Sequence, residues 1–174
     1  MSLFKFGKNK KTKKENQTQE EVQQEILAEE KNDMIQGVEE LSATTVKEVM
    51  VPRIDVDFIP LETVEEELLQ KISESGHSRI PVYEGSIDNV VGILYVKDLI
   101  KILASKQAVD LEKIIRKPYF VPESKHIDSL LREFKRRHVH IAVAIDEYGG
   151  ISGIVCMEDI IEEIVGDIQD EFDH

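Results

Sequence analysis

The chain has 174 residues, 41% of them hydrophobic and 33% charged, which is typical of a globular protein with a buried core. Its 22 basic and 35 acidic residues give a net charge of −13, and this opposes a duplex-binding role for the folded part. Tryptophan is absent and aromatic residues make up 6%, which argues against a stacking surface for single-stranded nucleic acid.

The sequence also disfavours membrane-spanning and secreted classes of protein. The longest apolar run of the folded region, Ile141–Ile145, is far shorter than the roughly 20 residues that cross a bilayer. No apolar segment of a secretory signal follows the N-terminal lysines, and the single Cys156 cannot form an internal disulfide. We therefore expect a cytoplasmic protein.

The first 41 residues differ in composition from the rest of the chain. Residues 1–14 contain six lysines, and we expect a solvated, unstructured basic tail, with weak contact to an anionic membrane as the alternative. Residues 15–41 are rich in Glu and Gln with sparse apolar positions, which predicts one or two surface helices that pack along a thin stripe.

From Val46 onward the hydrophobic pattern predicts strand, helix, strand, strand, helix, and then the same order again. The first set is the strand Val56–Ile59, the helix Glu62–Ser75, the strands Arg79–Tyr83 and Asn89–Tyr95, and the helix Val96–Leu103. The second set is the strand Tyr119–Val121, the helix His126–Arg137, the strands Ile141–Ile145 and Ile151–Cys156, and the helix Met157–Val165. Gly76 stands where the first helix would end.

A nearly constant spacing between the two sets identifies an internal repeat. Gly92 and Gly153 are 61 residues apart, as are Asp98 and Asp159. Each half is too small to bury a core alone, so we expect two subdomains packed about a pseudo-twofold axis. The predicted fold is α/β (α+β), a tandem of β-α-β-β-α repeats, with segments 1–41, 42–105 and 106–174.

Six motifs carry a resemblance to a known family. They are Met50–Arg53, Gly76–Tyr83, Val96–Leu99, Val121–Ser124, Asp146–Gly150 and Glu158–Ile168. Together with the repeat, they resemble a pair of CBS domains (a Bateman module). More narrowly, they resemble the CorC/hemolysin C (TlyC) family, which is linked to magnesium and cobalt efflux and is similar to the CNNM proteins.

The resemblance implies a regulatory module rather than an enzyme. Its expected ligand is an adenine nucleotide, ATP or AMP, with or without Mg²⁺, and its expected assembly is a homodimer. Family members usually carry a transmembrane domain before the pair, and many carry a transporter-associated domain after it. This sequence has a polar, basic tail before the pair and stops at His174, after the acidic end of the last helix. We therefore expect transport to belong to a membrane transporter partner, met at the inner face of the membrane. The alternative is a docking module with an empty cleft, whereas hemolysin-type lysis is disfavoured by the short helices.

The resemblance also implies one nucleotide site drawn from both halves. Its residues are Val51, Pro52, Ser78, Arg79, Ile80, Pro81, Cys156, Glu158 and Asp159. An Asp at a helix start, held by free backbone N–H groups, can accept from two ribose hydroxyls, and a guanidinium fork suits phosphate. Ile80 and Pro81 offer an apolar wall for adenine. Val51 and Cys156 stand where relatives often have Thr, so weakened binding is expected.

Other polar positions carry weaker expectations. Tyr95 occupies a small-residue position before Asp98, which predicts a filled pocket in the first half. Both Asp98 and Asp159 have the alternative interpretation of plain helix caps. His138 and His140 lack a third nearby ligand, so a metal site there is disfavoured. The acidic C-terminal end would be solvated, with a weak Mg²⁺ site as the alternative.

Overall fold

The structure, a computed structural model, describes residues 8–166. These residues form two compact units, one of residues 8–41 with 161–166 and one of residues Ser42–Ile160. The acidic C-terminal residues from Asp167 onward, with the Mg²⁺ alternative placed on them, lie outside the described residues, as do the first seven residues of the basic tail.

The first unit is built on one long helix, α1, Lys8–Glu40. The expectation of an unstructured tail is wrong for residues 8–14, because lysine, glutamate and glutamine are good helix formers and no proline interrupts them. Gly37 packs against the end of the last helix, where an added Cβ would lie 2.7 Å from the Glu163 carbonyl oxygen. Several apolar side chains of α1 are exposed, namely Val22, Ile26, Leu27, Met34, Ile35 and Val38.

The second unit begins with the first repeat. Its elements are α2 (Val46–Val49), β1 (Val51–Pro52), a 3₁₀ turn (Arg53–Asp55), β2 (Ile59–Pro60), α3 (Glu65–Ser75), β3 (Arg79–Tyr83), β4 (Val90–Tyr95) and α4 (Val96–Ala104). Gly76 ends α3 in the left-handed conformation with φ of +66°, which confirms the predicted helix end. The predicted strand Val56–Ile59 is wrong except at Ile59.

The second repeat follows the same order. Its elements are α5 (Leu111–Ile114), β5 (Phe120–Pro122), α6 (Ile127–Arg137), β6 (Ile141–Ile145), β7 (Ile151–Cys156) and α7 (Met157–Val165). The bounds of β6, β7 and α7 confirm the prediction.

The strands form two sheets of equivalent design. One has the order β2-β3-β4 and the other the order β1-β7-β6-β5. In each sheet an antiparallel hairpin is flanked by a short parallel strand, β2 on β3 and β5 on β6. The exception is β1, which opens the first repeat yet pairs with β7 of the second, Val51 opposite Ile154 and Pro52 opposite Gly153.

The repeats share a hydrophobic core, as expected for halves that are too small to stand alone. One buried cluster draws Val90 and Ile93 from β4 and Ile141, Val143 and Ile151 from β6 and β7. Gly153 permits the close approach of β1, because a Cβ there would collide with the Val51 carbonyl oxygen. The pairing of β1 with β7 brings the start of the first repeat to the end of the second, and a cleft lies at this junction.

Candidate functional site

A cleft of about 370 Å³ lies where β1, the start of β3 and the end of β7 meet. It is lined by Val51, Asp55, Val56, Asp57, Gly76, His77, Ser78, Arg79, Pro81, Ile154, Cys156, Glu158 and Asp159. Seven of the nine sequence-predicted site residues are in this lining, and they come from both repeats. The cleft is therefore a composite of the two halves, as the resemblance implied.

Two of the nine, Pro52 and Ile80, are not brought into the lining. Successive side chains of a strand point to opposite faces, so Arg79 and Pro81 face the cleft while Ile80 faces away. Ile80 is 1% exposed, packs in the core of the first repeat and borders a separate cavity of about 270 Å³ beside Phe58 and Ile59. The alternation of the strand Arg79–Tyr83 was a signal in the sequence that would have excluded it.

Sequence reasoning missed the acidic and histidine lining of the cleft. Asp55, Val56 and Asp57 lie in the irregular segment between β1 and β2, and His77 follows the glycine that ends α3. The His77 Nε2 atom lies 3.4 Å from Asp57 Oδ2. Irregular segments have no hydrophobic periodicity, so only closeness in sequence, of Asp55–Asp57 to Val51 and of His77 to Ser78, could have pointed to them.

Asp159 is held by the first turn of α7. Its Oδ2 atom accepts a hydrogen bond from the backbone N–H of Cys156 at 2.6 Å. This is the bond of a capping box, in which the third helical residue accepts from the N-cap N–H, one of the backbone donors left free at a helix start. The carboxylate is thereby fixed at the wall of the cleft.

Arg79 is the principal cation of the cleft, and its side chain is mostly buried. Its Nη1 atom donates to Glu158 Oε1 at 3.0 Å, an ion pair between the first repeat and α7 of the second. Its Nε atom is buried and has no hydrogen-bond partner among the described residues. A buried, unpaired donor is costly, so an oxygen-rich ligand reaching this guanidinium would be stabilised.

The cleft carries more negative than positive charge. Asp55, Asp57, Glu158 and Asp159 face one permanent cation, Arg79. Within residues 8–166 no cluster of three or more metal-ligating side chains could hold an ion, His138 and His140 included. A polyphosphate entering this cleft would therefore gain from bringing its own divalent cation.

Cys156 lines the cleft with a neutral thiol. Burial, followed by the charges of Asp159 and Glu158, raises the pKa of this thiol to about 12. Since the thiolate is the nucleophilic form, Cys156 is inert at neutral pH. It contributes an apolar wall to the cleft.

The corresponding aspartate of the first repeat has different surroundings. Asp98 Oδ2 accepts from Arg116 Nε at 2.9 Å and from Arg116 Nη2 at 2.6 Å. The Arg116 guanidinium also lies over the Tyr95 ring, 4.2 Å from its centroid. The hydrogen bond and charge of Arg116 lower the pKa of Asp98 below its usual value. Asp98 is outside the lining of the 370 Å³ cleft.

Comparison with known proteins assigns the fold to a family. The CBS domain family model matches residues 46–105 and 110–166. Hemolysin C of Brachyspira hyodysenteriae is 47% identical over 147 residues, which is 84% of this chain and 54% of that protein. A magnesium and cobalt efflux protein CorC of Pasteurella multocida is 41% identical over 152 residues, 87% of this chain and 51% of that protein. The chain thus spans about half the length of these curated relatives.

Solved structures agree with this assignment. The CBS domain of a bacterial CNNM/CorC family Mg²⁺ transporter in complex with ATP is 43% identical, with a TM-score of 0.75, over 79% of this chain and 99% of that one. A CBS-domain pair with bound AMP from Klebsiella pneumoniae is 31% identical, with a TM-score of 0.64, over 71% of this chain and 99% of that one. The chain belongs to the CBS domain family, as a tandem pair of the CNNM/CorC kind.

Among residues 8–166, no helix combines the length and the apolar character that a membrane span requires.

Proposed function

We propose that this CBS pair is a regulatory module that binds an adenine nucleotide in the 370 Å³ cleft and acts in the efflux or homeostasis of magnesium or cobalt. The observation that carries the proposal is the convergence of Arg79 from one repeat and Asp159 from the other on a single cleft. Its volume lies within the roughly 300–1,000 Å³ that is usual for small-molecule sites.

Each wall of the cleft matches one part of a nucleotide. The Asp159 carboxylate, fixed by the Cys156 N–H, would accept from the ribose hydroxyls. The Arg79 guanidinium, with its unpaired Nε, would bind phosphate oxygens. Val51, Pro81 and Ile154 provide apolar surface for the adenine ring.

The charge of the cleft favours a nucleotide that arrives with Mg²⁺. Asp55 and Asp57 add negative charge to the lining of the cleft, which would repel a bare triphosphate. AMP carries less charge than ATP and would depend less on the cation. Both nucleotides have precedent in the related CBS structures bound to ATP and to AMP.

Regulation would follow from the composite nature of the site. A ligand that contacts both repeats binds best to one arrangement of them, and it therefore shifts the population toward that arrangement. This change would be passed on to a homodimer of the chain or to a membrane transporter partner. The chain would meet that partner in the cytoplasm, at the inner face of the membrane. This role is binding and switching, with no catalytic step.

A docking module that binds no nucleotide is the second candidate. It is favoured by the ion pair in which Glu158 already occupies Arg79, and by Val51 and Cys156, which supply no hydroxyl to a ligand. Binding measurements separate the two candidates, because a docking module has no affinity for nucleotides.

The experiment is thermal unfolding of the wild-type chain with ATP, ADP or AMP, with and without Mg²⁺. A nucleotide at about 100 times its Kd adds roughly 2.7 kcal/mol. Since 1 kcal/mol shifts the midpoint by about 2–4 °C in a chain of this size, the expected rise is about 5–11 °C. Asp159→Ala should abolish the rise, whereas Asp98→Ala, the same change at the equivalent position of the other repeat, should retain it. The proposal fails if no nucleotide raises the midpoint, or if both variants behave alike.

A further inference from the structure

Arg116 occupies in one repeat the place that Val51 occupies in the other. The segments Val46–Val51 and Leu111–Arg116 each consist of a four-residue helix and a short extended end, offset by 65 residues. Val51 pairs antiparallel with Ile154 of β7, and Arg116 forms an antiparallel bridge with Ile93 of β4, 61 residues earlier. The backbone framework of the cleft is therefore built twice.

The side chains at these equivalent places differ in what they do to the nearby aspartate: one leaves it facing a cleft and the other pairs with it. Val51 contributes apolar surface to the open cleft next to Asp159. Arg116, near the start of the second repeat, instead sends its guanidinium to the aspartate of the first repeat, and two of its nitrogen atoms donate to one oxygen of Asp98. The Asp98 side chain is only 18% exposed, so the arginine covers it from solvent.

Tyr95 completes this arrangement. It occupies the position equivalent to Cys156, 61 residues earlier. The guanidinium of Arg116 lies 4.2 Å from the centroid of its ring, and that of Arg79 lies 5.9 Å from it. Cation–π contacts of this kind add to the ion pair. A small thiol in one repeat thus corresponds to a large ring under a cation in the other.

We propose that Arg116 acts as an internal ligand of the first repeat, occupying Asp98 and Tyr95 so that the chain binds one nucleotide rather than two. The inference rests on the proposed function of the Asp159 cleft. A tethered guanidinium competes with any free ligand at a high effective concentration, so even a modest ion pair closes the site.

The test transplants residues between the repeats. Tyr95→Cys with Arg116→Val gives the first repeat the residues that flank Asp159, and titration calorimetry with Mg²⁺-ATP should then find two sites per chain instead of one. The matched control is Lys117→Val, which removes the neighbouring exposed cation and should leave one site. The reverse change, Val51→Arg, brings a guanidinium to Asp159 and should abolish wild-type binding.

The outcomes separate this inference from the proposed function. One site in the folded double variant, or unchanged affinity in folded Val51→Arg, overturns the role of Arg116 and leaves the proposed function intact. If the wild type has no site and the double variant has one, the Asp159 site is overturned while the role of Arg116 is supported. If neither protein has a site, both proposals are overturned.

A second measurement needs neither nucleotide nor the double variant. Carboxyl-carbon NMR should show Asp98 titrating lower in the wild type than in Arg116→Gln. An identical titration in the two proteins would mean that Arg116 does not occupy Asp98 in solution, and the inference would fail.

Discussion

The two halves of the unit Ser42–Ile160 have the same order of elements and nearly the same register, yet only the Asp159 side opens onto the 370 Å³ cleft. Asp159 accepts from a backbone N–H within its own helix turn, while Asp98 accepts from Arg116, which follows α5 at the start of the second half. The helix start supplies an aspartate in both cases. What that aspartate can bind is decided by the residue that follows the short helix at the start of each repeat, which is Val51 in one case and Arg116 in the other.

The largest contrast between the halves should appear at the two equivalent glycines. In Gly153→Ala the added Cβ would meet the backbone of Val51, which cannot move without displacing β1, so we expect a loss of about 2–3 kcal/mol in the free energy of unfolding. In Gly92→Ala it would meet the Cδ1, Cγ1 and Cβ atoms of Ile115. The first two can rotate away while Cβ moves only with the backbone, so a smaller loss of about 1–2 kcal/mol is expected. Urea unfolding compares them, and equal losses would contradict the role given to β1.

A smaller effect should come from releasing Arg79. In Glu158→Gln the guanidinium loses its charged partner and becomes available to phosphate, so affinity for Mg²⁺-ATP should rise about two- to five-fold, since a half-exposed ion pair is worth up to about 1 kcal/mol. Titration calorimetry measures the change, with Glu162→Gln on the same helix as the control. A fall in affinity would instead make Glu158 a ligand-binding group.

The smallest effect should be the part of the pH dependence that comes from the Arg116–Asp98 pair. Arg116 lowers the pKa of Asp98 in the folded state, so this pair stabilises the protein above the unfolded pKa near 3.9 and loses its contribution as pH falls through the lower folded value. Between neutral pH and about pH 3, wild type should therefore lose slightly more stability than Arg116→Gln, by about 1 kcal/mol or less, because Arg116 is half exposed. Urea unfolding at both pH values measures this, and equal losses would argue against the pair.

Much of this architecture was predictable because long strands and helices leave a period in the sequence. The bounds of β6, β7 and α7 confirmed the prediction, and the offset of 61 residues located Asp98 and Asp159 at equivalent helix starts. Those features depend on local pattern and on spacing, both of which a single sequence contains.

The parts that were missed depend on contacts distant in sequence or on very short elements. β1 has two residues and α5 has four, too few for any periodicity to show. The pairing of Arg116 with Asp98 crosses from a linker to a helix start, and nothing in the composition of either segment indicates it. Ile80 was assigned to the site by the resemblance, as an apolar wall for adenine, although strand alternation places it on the opposite face.

The pairing of β1 with β7 has a consequence for how this protein can be divided. The covalent boundary between the repeats lies in the linker after α4, but the four-stranded sheet takes one strand from before that boundary and three from after it. A fragment cut at the linker would leave the edge of β7 bare and would remove Val51 from the cleft. The smallest piece that retains the cleft is therefore the whole pair.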